Sequence, residues 1–472
     1  WGTGSGNSYN QIGQDRKQKV AELLIVDGQQ RLTSLYSVMK GVPVVRDDYR
    51  TENIYIAFNP LAEKFEVTDA AIRKDPEFIP DISQVWSNET GVFGLADQYL
   101  TRLRMVREVT QEEEKRIKRA INNLDNIENY PFTALEISST ANEEQVADIF
   151  VRVNSKGTPL NQADFILTLM SVHWDEGRAN LERFCGAARK PAAMGPSPFN
   201  YYIQPDPDQL LRVSIAFGFR RARLSYAYLI LRGKDLETEQ YSDVRREAQF
   251  RVLEKAQEQV LDVQNWHEFL KAIRQAGYVS SQMISSVNAI LYTYAFFLIG
   301  KCDYGVDHYT LRNVIARWFF MVALTGRYSG SFESIMEQDL NRLRDVKSKQ
   351  EFTALLDQIV DNTLTDDFWN ITLPTSLATS ASRGPSLFAY YAALVKQNAG
   401  VLFSHLNVAD LLNPAMKAKK SAIERHHLFP RGYLQKLGID DVHDANQIAN
   451  FALVEWSDNI DISDMSPKEY FR

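Results

Sequence analysis

The sequence predicts a mixed α/β and mostly α protein, with an α/β opening block, a helical middle and a small closing block of strands and a helix. Three observations lead there. The apolar run Leu23-Leu24-Ile25-Val26 meets Asp27-Gly28, and a helical period follows at Leu32, Leu35 and Met39. Between roughly residues 165 and 400 apolar side chains recur at helical spacing, as in Ile284-Val287-Ile290-Leu291-Tyr294. Near the end, Ile423 to His427 and Phe451-Ala452-Leu453-Val454 read as two short strands.

A chain of 472 residues exceeds what one hydrophobic core usually serves, so roughly two or three domains are expected. The expected division is 1–170, 171–400 and 401–472. Hydrophobic content of 44% with 24% charged residues describes an ordinary globular protein. Cys185 and Cys302 offer neither a disulfide framework nor zinc spacing, which fits a reducing cytoplasm. No apolar run reaches membrane-spanning length, and Trp1 to Gly6 has no secretory signature. The chain starts without Met, and it reads as an excerpt. A net charge of −7 and a pI of about 5.7 argue against a general nucleic-acid coat but leave room for a local basic groove.

The elements follow in order. Asn53 to Phe58 and Lys64 to Val67 read as a hairpin whose turn begins at Asn59-Pro60. Residues 97 to 127 are helical and highly charged, with i,i+4 pairs on a solvated face. Phe132 to Ile137 reads as a strand, Glu143 to Val153 as a helix, and a further helix starts near Asn161. Loops are marked by Pro205-Asp206-Pro207, by Gly326-Arg327-Tyr328-Ser329-Gly330 and by Ala381 to Pro385. Trp318-Phe319-Phe320 reads as core leading into the second of these loops. Arg220-Arg221-Ala222-Arg223 is a small basic cluster. His173, His267, His308, His405 and His443 lack metal-ligand spacing and read as packing or surface residues.

The chemistry concentrates at the two ends. Ile423-Glu424-Arg425-His426-His427-Leu428-Phe429-Pro430 puts adjacent histidines at a strand end, and Asn450 and Asn459 follow. Two strands and a helix would bring His426, His427 and Asn459 into one small cleft. Phosphodiester hydrolysis needs a neutral imidazole to take a proton from water and a divalent ion to stabilise the leaving oxygen. The Asn459 carboxamide is a hard oxygen ligand suited to Mg²⁺ or Mn²⁺. Asn450 could tie the intervening loop back onto His427. The plain alternative is a buried His pair with helix-capping asparagines. Lys417, Lys419 and Lys420, just before the His pair, either meet a DNA backbone or lie in a solvated loop.

At the other end, Val26-Asp27-Gly28-Gln29-Gln30-Arg31-Leu32-Thr33 feeds a strand through a Gly turn into a helix. The helix N-terminus and Arg31 both favour phosphate. Asp27 could hold a metal or orient water, and Gln29 or Gln30 could position a nucleophile. Farther along, Ile149-Phe150-Val151-Arg152-Val153-Asn154-Ser155-Lys156-Gly157-Thr158-Pro159-Leu160 reads either as a phosphate contact or as a helix C-cap at Gly157 with a solvated lysine.

Both ends, in this order, resemble the GmrSD-like modification-dependent (type IV) restriction enzymes. The D-G-Q-Q-R-L-T string resembles the signature of their N-terminal ParB/sulfiredoxin-like domain, which is associated with nucleotide hydrolysis. The 149–160 string resembles that family's later I-F-x-x-[IVL]-N-x-[KR]-G-x-x-L element. The His-His string looks like their C-terminal HNH (ββα-metal) nuclease domain. The resemblance implies a nucleotide site (GTP, UTP or ATP) at Asp27, Gly28, Gln29, Gln30, Arg31, Asn154 and Lys156. It implies His427 as general base with Asn450 supporting it, and a metal held by His426 and Asn459. His426 stands where many HNH nucleases have an acid, and the aromatic-flanked Gln-Arg motif usual upstream is absent from Trp1 to Lys19. The implied function is cleavage of modified foreign, double-stranded phage DNA, gated by a nucleotide, in a chain that could be a homo-oligomer. The alternatives are a non-cleaving sensor of modified DNA, or an RNase or toxin using the same site.

Overall fold

The computed structural model describes residues 29–45, 51–87, 91–134, 136, 166–167, 170, 174–231, 233, 243–378, 383–414, 424–454 and 465–471. It is mostly helical with small strand pairs, and it falls into two compact units, Trp1–Asn161 and Gln162–Arg472. The expected strand at Leu23 to Val26, the Asp27-Gly28 turn and the helix expected over 143–153 lie outside the described residues; of the helix expected from near Asn161, Ile166, Leu167 and Met170 are described and are helical.

In the first unit, helix α1 (Gln29–Lys40) covers the helical period that the sequence places at Leu32, Leu35 and Met39. Short strands β1 (Val44–Val45) and β2 (Thr51–Glu52) pair antiparallel. The expected hairpin follows as β3 (Ile56–Asn59) and β4 (Lys64–Val67), in register from Ile56 opposite Val67 to Asn59 opposite Lys64. Its turn is set locally, because the Asn59 side-chain oxygen accepts the backbone N–H groups of Leu61 and Ala62, each at 3.0 Å.

After α2 (Gln84–Ser87), the charged stretch forms α3 (Gly91–Arg104) and α4 (Gln111–Asp125) rather than one helix. Thr110 and Glu113 form a reciprocal capping box that starts α4 afresh. The Thr110 backbone N–H holds the Glu113 carboxyl below the usual carboxylate range. The inner faces of the pair, including Leu100, Leu103, Ile117, Ile121 and Leu124, close over Phe58 and Ile79. Each such side chain, fully buried, stabilises the fold by about 1.5–3 kcal/mol.

The strand expected at Phe132 does not form over Phe132, Thr133 and Ala134, and Phe132 is exposed. A strand needs a partner edge for its N–H and C=O groups, and among the described residues none is paired with this segment.

The second unit contains α5 (Asp175–Ala187), α6 (Pro207–Phe219), α7 (Ser225–Leu231), α8 (Asp243–Val260), α9 (Val263–Gln275) and α10 (Val287–Leu298). A π-helical turn, Ile299–Asp303, leads to α11 (His308–Thr325), α12 (Phe332–Asn341), α13 (Lys349–Thr363), α14 (Leu373–Leu377), α15 (Pro385–Lys396) and α16 (Val408–Leu411). Helix α11 is central and packs against α9, α10, α13 and α15. Most of its circumference is buried, from Leu311 through Trp318 and Phe319 to Leu324, while Arg317 stays exposed and pairs with Asp357 and Asp361. Asp307 caps its start, accepting the Thr310 N–H, and Gly326 ends it at φ 64°, sending its N–H to Val322. Trp318-Phe319-Phe320 and the loop after it are therefore core and turn, as the sequence predicts.

The basic cluster at 220–223 is built into the body. Arg220 pairs with Asp303, and Arg221 with Glu337 at 3.0 Å. Gly277 marks a close approach: at φ +93°, it lies where a Cβ would collide with the Ala392 carbonyl on α15. Gly277→Ala is expected to lower stability by about 2–3 kcal/mol, from left-handed strain plus overpacking, as read by urea unfolding. A loss below about 0.5 kcal/mol would show that the two helices separate freely there.

Beyond α16 come β5 (Glu424–His427), α17 (Arg431–Lys436), α18 (Val442–Ala445), β6 (Phe451–Val454) and α19 (Pro467–Tyr470). Both expected strands form. Leu402 bridges β6 at Val454, so this closing block shares a unit with the helices before it. Cys185 is a buried free thiol and Cys302 an exposed one. No helix among the described residues is long and apolar enough to cross a membrane.

Candidate active site around the paired histidines

Strands β5 and β6 are antiparallel, with His426 opposite Ala452 and His427 opposite Phe451. Neighbouring side chains on a strand leave opposite faces. The two imidazoles consequently leave β5 on opposite faces. His426 is only 4% exposed, with its ring edge-on to Tyr470 at 5.7 Å. Burial pushes the Tyr470 hydroxyl above its ordinary range, and it donates to the Leu428 carbonyl, closing that side.

His427 is half-buried, and its ring lies 4.5 Å from that of Phe451. Its Nε2 stands 2.7 Å from the carboxamide oxygen of Asn446, at the end of α18. An amide oxygen can only accept, so the neutral ring carries its proton on Nε2 and its lone pair on Nδ1. A base needs this arrangement, with one nitrogen tethered and the other available.

Asn450 works differently from the expectation. Its oxygen accepts the Phe429 N–H at 2.8 Å, and its amide group donates to the carbonyls of Phe429 (3.1 Å) and Ala445 (2.8 Å). It ties the loop after β5 to the end of α18 and holds Asn446 in place, but it bonds the loop rather than His427. It is a positioning residue. Asn450→Ala is expected to cost about 1–3 kcal/mol, because three partners lose their bonds, and the melting temperature would fall accordingly. An unchanged melting temperature would remove this role.

Sequence reasoning missed Asn446 and Tyr470. The only signal for Asn446 was its place four residues before Asn450, in Ala445-Asn446-Gln447-Ile448-Ala449-Asn450. Of the other expected site residues, Arg31 is exposed in the first turn of α1, and Gln29 and Gln30 open that helix. Asp27, Gly28, Asn154, Lys156, Lys417, Lys419, Lys420 and Asn459 lie outside the described residues. Among the described residues no three His, Cys, Asp or Glu side chains converge as a metal site would require. His426 alone does not make one.

The beginning of the chain is similar to a domain of restriction endonucleases. The family model that matches, over residues 8–171, is described as the GmrSD restriction endonuclease, N-terminal domain. Both the Val26–Thr33 and Ile149–Leu160 strings fall inside that segment, whereas the paired histidines fall outside it. No curated protein matches the chain.

Proposed function

We propose that the chain is a DNA endonuclease of the type IV restriction kind, cutting modified phage DNA in antiviral defence under control of a nucleotide. The observation that carries the catalytic part is the His427–Asn446 pair, which presents Nδ1 of a half-buried ring as a base. The match of residues 8–171 supports the restriction part.

In this reading Nδ1 of His427 takes a proton from water as its oxygen attacks phosphorus. One P–O ester bond breaks, and the leaving oxygen acquires a proton from solvent. Asn446 keeps the ring in the tautomer that can accept. Asn450 and Phe451 fix the ring's position.

Mg²⁺ or Mn²⁺ belongs to the proposal as the group that would neutralise charge on the leaving oxygen. The described donors do not complete a site for it, and Asn459 would be needed beside His426. No step here is routed through it. GTP, UTP or ATP is assigned to Asp27, Gly28, Gln29, Gln30, Arg31, Asn154 and Lys156, and the DNA backbone to Lys417, Lys419 and Lys420. The compartment assigned is the cytoplasm. The enclosure of His426 by Tyr470 favours one rival, a non-cleaving sensor of modified DNA.

The test is cleavage of phage DNA carrying modified bases against unmodified DNA. It is run with Mg²⁺, with and without each nucleotide, beside His427→Ala. Cutting of modified DNA alone, lost in the variant, is expected. Binding of modified DNA without cutting would establish the sensor, and cutting of RNA instead would establish the RNase.

A further inference from the structure

A cavity of about 200 Å³ lies in the second unit, between α9, α10, the π-helical turn and the first turn of α11. Its apolar lining, Phe297, Val306 and Leu311, is buried. Its polar lining reaches solvent. Lys301 there is already neutralised, since its ammonium donates to Glu268 at 2.6 Å and to the Asn265 side-chain oxygen at 2.8 Å. His308 is exposed beside it.

Arg312 differs. It lines the same cavity, is half-buried, and among the described residues makes neither a side-chain hydrogen bond nor an ion pair. A partly desolvated guanidinium normally finds a carboxylate or phosphate, because its planar fork matches two oxygens at once. Here that fork borders a recess whose other charged lining, Glu268 and Lys301, is paired with itself, and among the described residues no acceptor is bonded to Arg312.

We infer that this cavity binds a small organic anion, a carboxylate or phosphate monoester, with its oxygens on Arg312 and a compact apolar body against Phe297, Val306 and Leu311. The volume is below the roughly 300 Å³ at which pockets begin to hold drug-sized ligands, so a nucleoside triphosphate is too large. The site is independent of the histidine site and of the nucleotide assigned to the first unit.

Isothermal titration of the full chain tests this with benzoate, phenyl phosphate, inorganic phosphate and benzyl alcohol. One of the two aromatic anions is expected to bind with Kd of about 1 mM or tighter. Benzyl alcohol and inorganic phosphate should each bind at least about tenfold more weakly, since each lacks half of the recognition. Arg312→Gln should weaken the favoured anion by about tenfold or more, and Arg312→Lys by less, because it keeps charge but not the fork. The melting temperature without ligand should not fall in either variant. Absence of binding to about 10 mM, equal binding of benzyl alcohol, or equal binding by Arg312→Gln would each overturn the site.

Discussion

Asp339→Ala is expected to destabilise the second unit by about 3–5 kcal/mol, the largest loss among the substitutions considered. Asp339 is 1% exposed and receives three charge-assisted or hydroxyl hydrogen bonds. Arg327 grips it through Nε at 2.8 Å and Nη2 at 2.6 Å, and the Tyr328 hydroxyl adds a third at 2.8 Å. These bonds hold the Arg327 guanidinium above its ordinary range, while burial pushes the Tyr328 hydroxyl well above its own.

Truncation leaves a largely buried cation without its counter-ion and a buried hydroxyl without its acceptor, and both lose solvation they cannot recover. Asp339→Asn keeps the shape and one acceptor, so its loss should be clearly smaller. Urea unfolding of both variants decides the matter. Losses below about 1 kcal/mol, or equal losses for the two, would mean that the charge on Asp339 matters little.

His427→Ala is expected to lower kcat for DNA cleavage by about 10²–10⁴-fold, the usual contribution of a positioned general base. DNA affinity should change little, because the ring is half-buried against Phe451 and contributes one small group to any DNA surface. Asn446→Ala should lower kcat by a smaller factor, since the ring then loses its tether and its fixed tautomer but keeps its basic nitrogen. Asn446→Asp should retain most activity, because a carboxylate oxygen accepts the same Nε2–H. A His427→Ala enzyme cutting within about threefold of the parent would remove His427 from the chemistry. A kcat unchanged in Asn446→Ala would remove the tether from the mechanism.

Much of the architecture was legible because it is local. The hairpin of β3 and β4 follows from alternation plus an Asn59 that caps its own turn. The end of α11 follows from the Gly326 turn, whereas the break before α4, where Thr110 and Glu113 cap the helix, is not foreseen within the charged stretch 97–127. Phe132 shows the limit: the segment reads as a strand, and among the described residues no partner strand takes it up. The histidine pair shows another. Adjacency in sequence names no neighbour for either ring, and packing sets Tyr470 beside His426 and Asn446 beside His427.

By itself, the sequence determined the helical middle, the β3–β4 hairpin and the two closing strands, and which short strings could meet phosphate or water. Caps, turns and periodicity are settled between residues two to four apart, so the chain carries that information in its order. Only the tertiary structure decided which groups become neighbours: Asn446 for His427, Asp339 for Arg327, Tyr470 over His426, and Arg312 at the rim of a cavity. Those pairings depend on where distant segments come to rest after packing, and no local spacing encodes that.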